Sequence, residues 1–141
     1  MRKKLEKKIL KTIYNFKKYS FFVFYGRLVS YKGIDVLLSA IPYISPKIKI
    51  FIAGEGVKSQ LIKLSVKKYK NIIFFNKFLT DNEKKFVLKH ATAFLFPSIT
   101  ESETLGLTQI EAMSQGCPVI NTDLNTAVPY VSKNNLTGKT I

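Results

Sequence analysis

The sequence predicts an α/β fold, namely a Rossmann-like parallel sheet with helices on both faces. Short apolar runs of strand length alternate along the chain with longer segments whose apolar residues recur at helical spacing. Several of these runs end at glycine or proline, as at Gly26 and Pro97, which marks the end of a buried strand. Alternating strands and helices build right-handed βαβ units, and such units form parallel sheets that are covered on both sides.

The predicted elements follow this alternation from residue 20 onward. Apolar runs predict strands over residues 21–25, 47–53, 71–75, 93–96 and 118–121. Helical periodicity predicts helices over residues 33–44, 58–69, 81–90 and 107–115, with a short helical turn over 126–131. Asp81 is a suitable N-cap for the third helix, and Gly116 is a suitable C-cap for the fourth.

The pattern of residues 1–19 predicts a basic amphipathic linker helix, which precedes a Rossmann-like domain over residues 20–141. This segment carries eight basic side chains and one acidic one, and so contributes +7 to a net charge of +14. One interpretation is contact with an anionic membrane surface. The other is a connector whose apolar stripe packs on the domain or on a neighbour. A general composition bias toward lysine would also explain the net charge, without any anionic partner.

Composition excludes several classes of protein. Hydrophobic residues make up 46% of the 141 residues, which argues against disorder. The single cysteine, Cys117, excludes an internal disulfide and a cysteine-rich metal cluster, and the single histidine, His90, leaves no catalytic triad. No apolar run approaches the roughly 20 residues that cross a bilayer, and no secretory signal is recognisable. The expected location is cytoplasmic, with peripheral attachment to the inner face of the membrane as an option.

The loop after the first predicted strand carries two cations. Arg27 and Lys32 flank a turn that leads into a helix, and cations beside a helix N-terminus favour phosphate oxygens. The alternative is a pair of solvated surface charges. Gly54, after the second strand, could allow the close approach of a ligand.

The loop after the fourth strand is more specific, since Glu103 and Glu111 stand eight positions apart on either side of Gly106. We expect Glu111 to lie one turn into a helix, opposite the apolar Ile110 and Met113. A carboxylate there can accept hydrogen bonds from the vicinal hydroxyls of a ribose. The alternative is a polar loop followed by a solvated helical glutamate.

Three stretches together resemble the C-terminal, donor-binding domain of the retaining glycosyltransferase family 4, the group 1 transferases with the GT-B fold. They are GRLVSYKGIDVLLSAI at 26–41, FIAGEG at 51–56 and the segment 96–120, which contains an E-x7-E motif as Glu103 and Glu111. The resemblance covers about residues 20–140. At 104–106 the chain has Thr-Leu-Gly where many members have a Gly-Phe-Gly-like sequence, which leaves the sugar open.

The resemblance implies a role for each matching residue. Arg27 and Lys32 would bind the donor diphosphate and stabilise the leaving nucleoside diphosphate, Glu103 would hold hydroxyls of the transferred sugar, and Glu111 would bind the ribose. The remaining donor contacts would come from the backbone N–H groups of Leu105, Gly106 and Leu107, and from the base-binding loop 76–79 with Lys77 and Phe78.

The implied function is transfer of a hexose from a GDP- or UDP-linked sugar to a glycan or lipid-linked acceptor, without a metal cofactor. The family places its acceptor site in a separate N-terminal domain and continues beyond the position of Ile141. We therefore expect a fragment, truncated at both ends, that does not turn over alone. The alternative is a non-catalytic nucleotide-sugar-binding module that works with a separate acceptor-binding chain. Only the charge suggests nucleic acid, and no recognisable nucleic-acid-binding module supports it.

Overall fold

The computed structural model describes residues 7–9, 11–12, 14–15 and 20–141. Within these ranges one sheet contains six strands: β1 (Phe21–Tyr25), β2 (Lys49–Ala53), β3 (Ile72–Phe75), β4 (Ala93–Phe96), β5 (Val119–Asn121) and β6 (Gly138–Thr140). Neighbouring strands are all parallel, and their order is β3-β2-β1-β4-β5-β6. This order is that of a Rossmann-like sheet, which confirms the predicted fold class.

The helices occupy the predicted positions with adjusted ends. They are α1 (Ile34–Ala40), α2 (Ser59–Lys68), α3 (Asp81–His90), α4 (Leu107–Ser114) and α5 (Val128–Val131). The predicted helix over 33–44 is shorter than expected and continues as a 3₁₀ turn over Ile41–Tyr43. Pro42 explains the change, because proline has no N–H to donate to the preceding turn.

The sixth strand was not predicted. Gly138–Thr140 contains no apolar run, and it pairs with β5 through backbone hydrogen bonds at an edge of the sheet. A hypothetical Cβ on Gly138 would lie 1.8 Å from the carbonyl oxygen of Val119. Glycine therefore permits this pairing at close range.

The sheet separates the core into two layers, and alternate residues of β1 face one layer or the other. Phe21, Val23 and Tyr25 pack on the face covered by α3, α4 and α5. Phe24 packs on the opposite face, among the buried residues of α1 and α2. A parallel sheet buried on both sides has this pattern, and it explains why the strands read as continuous apolar runs.

The predicted N-terminal helix falls partly on residues 1–6, 10, 13 and 16–19, which lie outside the described residues. The remaining residues of the segment are helical. Ile9 is fully buried in the core layer that contains Val87 and Ala112. Its packing agrees with the connector interpretation at this one position, whereas the membrane contact and the boundary at residue 19 stay predictions. In the part of the chain that the structure describes, no helix combines the length and apolar character needed to span a bilayer.

Helix α3 begins with a capping box. The prediction of Asp81 as its N-cap was wrong: Thr80 is the N-cap, and its Oγ1 accepts a hydrogen bond from the Glu83 N–H at 3.3 Å. The Glu83 carboxylate in turn accepts from the Thr80 N–H at 2.7 Å and from Lys77 Nζ at 2.8 Å and 2.9 Å. Thr80 stands three residues before Glu83, which is the spacing that this reciprocal pairing requires.

The Glu83 side chain is only 1% exposed. Burial alone would raise the pKa of its carboxyl group, but the hydrogen bonds and charge of Lys77 and the bonds from Thr80 outweigh burial and lower that pKa. A lowered pKa in the folded state means that ionised Glu83 stabilises the fold above its ordinary pKa of 4.5. This contribution is lost as the pH falls through the folded-state pKa.

We predict that Glu83→Gln lowers the free energy of unfolding near neutral pH by about 1–3 kcal/mol, because a buried charged hydrogen bond is lost. The variant should also lose less stability than the wild type between about pH 5 and pH 3. Urea unfolding across this range measures both effects. Thr80→Ala is the control, with a loss of about 1 kcal/mol and a retained acid dependence. Equal acid sensitivity of Glu83→Gln and the wild type would contradict the prediction.

Candidate functional site

The crevice between β1 and β4 is the natural place for a ligand. The chain leaves β1 toward β2 on one side and leaves β4 toward β5 on the other. The loops after these two strands therefore separate at the carboxyl edge of the sheet, and open α/β sheets bind ligands at such a switch point. Residues 26–33 and 97–106 form these two loops.

A close backbone contact joins the two loops. Gly33 has φ +72°, and a Cβ at this position would lie 1.7 Å from the carbonyl oxygen of Pro97. Next to it, the Ile99 N–H donates to the Tyr31 carbonyl at 2.9 Å. Only glycine accommodates both the left-handed conformation and the contact. The loop after β1 is thereby fixed against the loop after β4.

Lys32 and Glu103 meet across this contact. Lys32 Nζ donates to Glu103 Oε2 in an ion pair, although the residues are 71 positions apart in the sequence. Ser98 Oγ donates to the same oxygen at 3.2 Å. Glu103 is 9% exposed, so the carboxylate is largely enclosed and held by two donors.

Arg27 joins the same cluster through Tyr31. The exposed guanidinium donates to the Tyr31 hydroxyl and lies 5.7 Å from the centre of its ring. Lys32 Nζ lies 5.4 Å from the centre of the same ring. The structure therefore brings Arg27, Lys32 and Glu103 to one side of the crevice. Sequence reasoning missed Tyr31 and Ser98, whose contacts depend on the fold.

Glu111 is tied to the end of β1 and to α3. Tyr25, the last residue of β1, donates through its hydroxyl to Glu111 Oε2 at 2.8 Å, and Lys84 Nζ donates to Oε1 at 3.1 Å. Burial, and then the hydrogen bond to Glu111, raise the pKa of the Tyr25 phenol far above its usual value. Tyr25 therefore stays protonated and acts as a permanent donor. Both predicted glutamates thus contact β1 or the loop after it.

The N-terminus of α4 opens toward this edge. Gly106 is its N-cap, with φ 72° and ψ 69°, and no side chain caps the first turn. The Gln109 N–H donates to the Gly106 carbonyl at 2.9 Å, so the N–H groups of Leu107 and Thr108 are the ones in this first turn that can donate to a ligand. A Cβ on Gly106 would lie 2.5 Å from the Phe96 ring, which explains the glycine. Leu105 and Leu107, on either side of it, are exposed.

The buried face of α4 differs from the prediction. Gln109 is fully buried with Ala112, whereas Ile110 is 43% exposed. Gln109 is accommodated because Nε2 donates to the Leu105 carbonyl at 3.1 Å and Oε1 accepts from Asn121 at 2.9 Å. Hydrogen bonds therefore allow an amide to occupy the buried face of this helix, which hydrophobic periodicity does not detect.

Two of the predicted donor-binding residues, Gly54 and Lys77, have other contacts in the structure, and a third, Phe78, is exposed. A Cβ on Gly54 would lie 1.9 Å from the Gly26 carbonyl oxygen, so close packing between the ends of β1 and β2 already requires this glycine. The ammonium of Lys77 is bound to Glu83. Phe78 is half exposed. The donor contacts of all three stay predictions.

The single histidine and the single cysteine both have contacts within the fold. His90 Nδ1 donates to the Phe86 carbonyl at 2.8 Å. Cys117 is buried, and burial raises the pKa of its thiol to about 11, which disfavours the nucleophilic thiolate. Across residues 20–141 and the described part of the N-terminal segment, no three His, Cys, Asp or Glu side chains cluster as a metal site would require.

A parallel sheet of this order places the chain in the doubly wound class of α/β domains, and its cations and carboxylates lie at the switch point of that sheet. The sequence model of glycosyl transferases group 1 matches residues 6–141, and the chain belongs to this family. D-rhamnosyltransferase WbpZ of Pseudomonas aeruginosa is 28% identical over 118 residues, which are 84% of this chain and 31% of that protein. O-antigen chain mannosyltransferase C of Escherichia coli is 24% identical over 120 residues, which are 84% and 32% of the two chains. The chain thus spans about a third of the length of these relatives.

Solved structures share the fold. HepE of Anabaena, crystallised with UDP-glucose, superposes with a TM-score of 0.77 at 16% identity, over 96% of this chain and 38% of HepE. WaaG, a glycosyltransferase involved in lipopolysaccharide biosynthesis, superposes with a TM-score of 0.72 at 21% identity, over 96% of this chain and 37% of WaaG. The chain therefore has the Rossmann-like architecture of one half of a GT-B fold.

We predict that Gly33→Ala destabilises the chain more than Gly116→Ala does. The two glycines have nearly equal φ values, +72° and +71°, but a Cβ at Gly116 would meet nothing within 4 Å. Gly116→Ala should therefore cost only the left-handed strain, about 1–2 kcal/mol. Gly33→Ala should cost a further 1–3 kcal/mol or so from the clash with Pro97. Urea unfolding compares the pair, and equal losses would show that the loop contact is not tight.

Proposed function

We propose that the crevice between β1 and β4 binds the diphosphate of a nucleotide sugar. In this proposal the chain is the donor-binding half of a retaining glycosyltransferase that moves a hexose to a glycan or lipid-linked acceptor. The observation that carries the proposal is the cluster of Arg27, Lys32 and Glu103, which the contact between the two loops assembles beside the N-terminus of α4.

Three sources of positive potential converge on this edge of the sheet. Arg27 supplies a guanidinium that can bind phosphate oxygens in pairs, Lys32 supplies an ammonium, and α4 supplies the N–H groups of Leu107 and Thr108 at its positive end. A diphosphate carries its negative charge on oxygens that accept from all three. A phosphorylated ligand fits this arrangement best.

The same cations suit the chemistry of glycosyl transfer. Breaking the bond between the anomeric carbon and the phosphate oxygen leaves the electron pair, and so a growing negative charge, on the diphosphate. Fixed cations next to these oxygens stabilise the transition state more than the ground state. Arg27 and Lys32 would therefore accelerate departure of the nucleoside diphosphate as well as bind it.

The two glutamates have separate tasks in this scheme. Glu103, held by Lys32 and Ser98, retains lone pairs that can accept hydrogen bonds from hydroxyls of the transferred sugar. Glu111 would accept from the ribose, and the exposed Phe78 would lie against the base. Glu103 is thus a sugar-positioning group and does not act as one of the paired carboxylates of a glycoside hydrolase.

The comparisons favour a nucleotide sugar over other phosphorylated ligands. Family members include a rhamnosyltransferase and a mannosyltransferase, and HepE was crystallised with UDP and with UDP-glucose. UDP and GDP are both candidate leaving groups here. Since the chain spans about a third of its relatives, transfer and acceptor binding are proposed for the protein together with a separate acceptor-binding part.

We expect one of GDP, UDP and ADP to bind in calorimetric titrations of the chain. Arg27→Ala and Glu111→Ala should each weaken that nucleotide at least about tenfold, or about 1.4 kcal/mol, because each removes a direct contact. Lys63→Ala, which removes an exposed cation on α2, is the matched control and should leave the affinity unchanged. Unchanged affinity in both site variants would refute the proposed site.

We also expect binding that needs no divalent metal. Arg27 and Lys32 would take the part that a metal ion plays when it neutralises a diphosphate. The dissociation constant of the preferred nucleotide should therefore agree within about twofold between EDTA and millimolar Mg²⁺. An affinity that collapses in EDTA would show that the two cations are insufficient.

A further inference from the structure

Tyr25 and Lys84 each donate a hydrogen bond to a different oxygen of the Glu111 carboxylate. The proposed function does not use either side chain. Tyr25 donates to Oε2 at 2.8 Å, and Lys84 donates to Oε1 at 3.1 Å. The three residues come from β1, α3 and α4, which are distant in the sequence. Their meeting point is the carboxyl end of β1, immediately before Arg27.

Tyr25 is a rigid donor. It is 4% exposed, and its ring packs against Phe94 with 5.0 Å between the ring centres. The hydroxyl therefore has a fixed position, and only its proton can rotate. Because the partner is a carboxylate, which has no proton to give, the phenol must donate. Glu111 Oε2 is thereby held in one place.

Lys84 is a donor with unused capacity. Its ammonium lies 3.1 Å from Glu111 Oε1 and 3.7 Å from Asp81 Oδ1, and the longer distance is an ion pair beyond hydrogen-bond range. The hydrogen bond to Glu111 uses one of its three N–H donors. The side chain is about a quarter exposed and lines, with Glu111 and Asp81, a pocket of about 160 Å³ between α3 and α4.

The unused lone pairs of Glu111 indicate which ligand groups its carboxylate can bind. A carboxylate has about four lone-pair positions, two on each oxygen. Tyr25 and Lys84 occupy one on each oxygen and leave one free on each. Two free positions on adjacent oxygens match two adjacent hydroxyls, which is the pattern of a vicinal diol. A free N–H of Lys84 can donate to one of the same hydroxyl oxygens.

We propose that Tyr25 and Lys84 are positioning residues for ribose recognition: together they fix Glu111 to read the vicinal 2′- and 3′-hydroxyls of the nucleotide, and Lys84 contacts one hydroxyl oxygen directly. The proposal rests on the proposed function, because it assumes that a nucleoside diphosphate occupies the crevice. It adds Tyr25 and Lys84 to the ribose contact proposed above for Glu111.

The test compares each preferred nucleoside diphosphate with its 2′,3′-dideoxy counterpart by calorimetry. Tyr25→Phe and Lys84→Met should each weaken the ribonucleotide about threefold to tenfold, the effect of a lost hydrogen bond. Both should leave the dideoxy nucleotide within about twofold of its wild-type affinity, because that ligand lacks the hydroxyls. Lys89→Met removes an exposed cation near the end of α3, outside this pocket, and should change neither affinity.

The outcomes separate this proposal from the one on which it rests. If the wild type binds a nucleotide and Arg27→Ala weakens it, but the new variants weaken both ligands equally, Tyr25 and Lys84 only support the fold and the inference is overturned. It is overturned as well if neither variant changes either affinity. If the wild type binds no nucleoside diphosphate, the proposed function fails and this inference fails with it. Urea unfolding of Lys84→Met, a partly exposed site, checks that the variant is folded.

Discussion

Two backbone segments that touch at Gly33 and Pro97 shape the crevice at the centre of the sheet. A side chain at Gly33 would overlap the Pro97 carbonyl, so the loop after β1 can lie against the loop after β4 only with glycine there. That contact is what allows Lys32 to reach Glu103 and keeps Arg27, through Tyr31, beside them. The polar cluster therefore depends on a steric condition met by a residue with no side chain.

The fold was largely predictable because its strands are buried on both faces. Continuous apolar runs such as Phe21–Tyr25 identify such strands without reference to tertiary structure. Prediction failed where the backbone or a hydrogen bond decides the outcome. Gly138–Thr140 is a strand because β5 offers it partners, and Gln109 is buried because Leu105 and Asn121 satisfy its amide. Neither condition is visible in hydrophobic periodicity.

The candidate site was predictable only in part, for the same reason. The charged residues Arg27, Lys32, Glu103 and Glu111 stand out in the sequence, and a family resemblance assigns them roles. Their partners do not stand out, because the contacts of Ser98, Tyr31 and Lys84 with these residues form only in the folded chain. Lys77 is different, because its partner Glu83 lies six positions away, inside a capping box that the spacing of Thr80 and Glu83 could have revealed.

The pairing of cations with carboxylates also bears on how a ligand arrives. Lys32 is paired with Glu103, and Lys84 with Glu111, so the crevice projects less field into solution than its number of cations suggests. A chain of net charge +14 nevertheless attracts anions over its whole surface. Diffusional encounter would then be governed by this broad potential and slow steeply with added salt, whereas the residence time of a bound nucleotide would follow the short-range contacts.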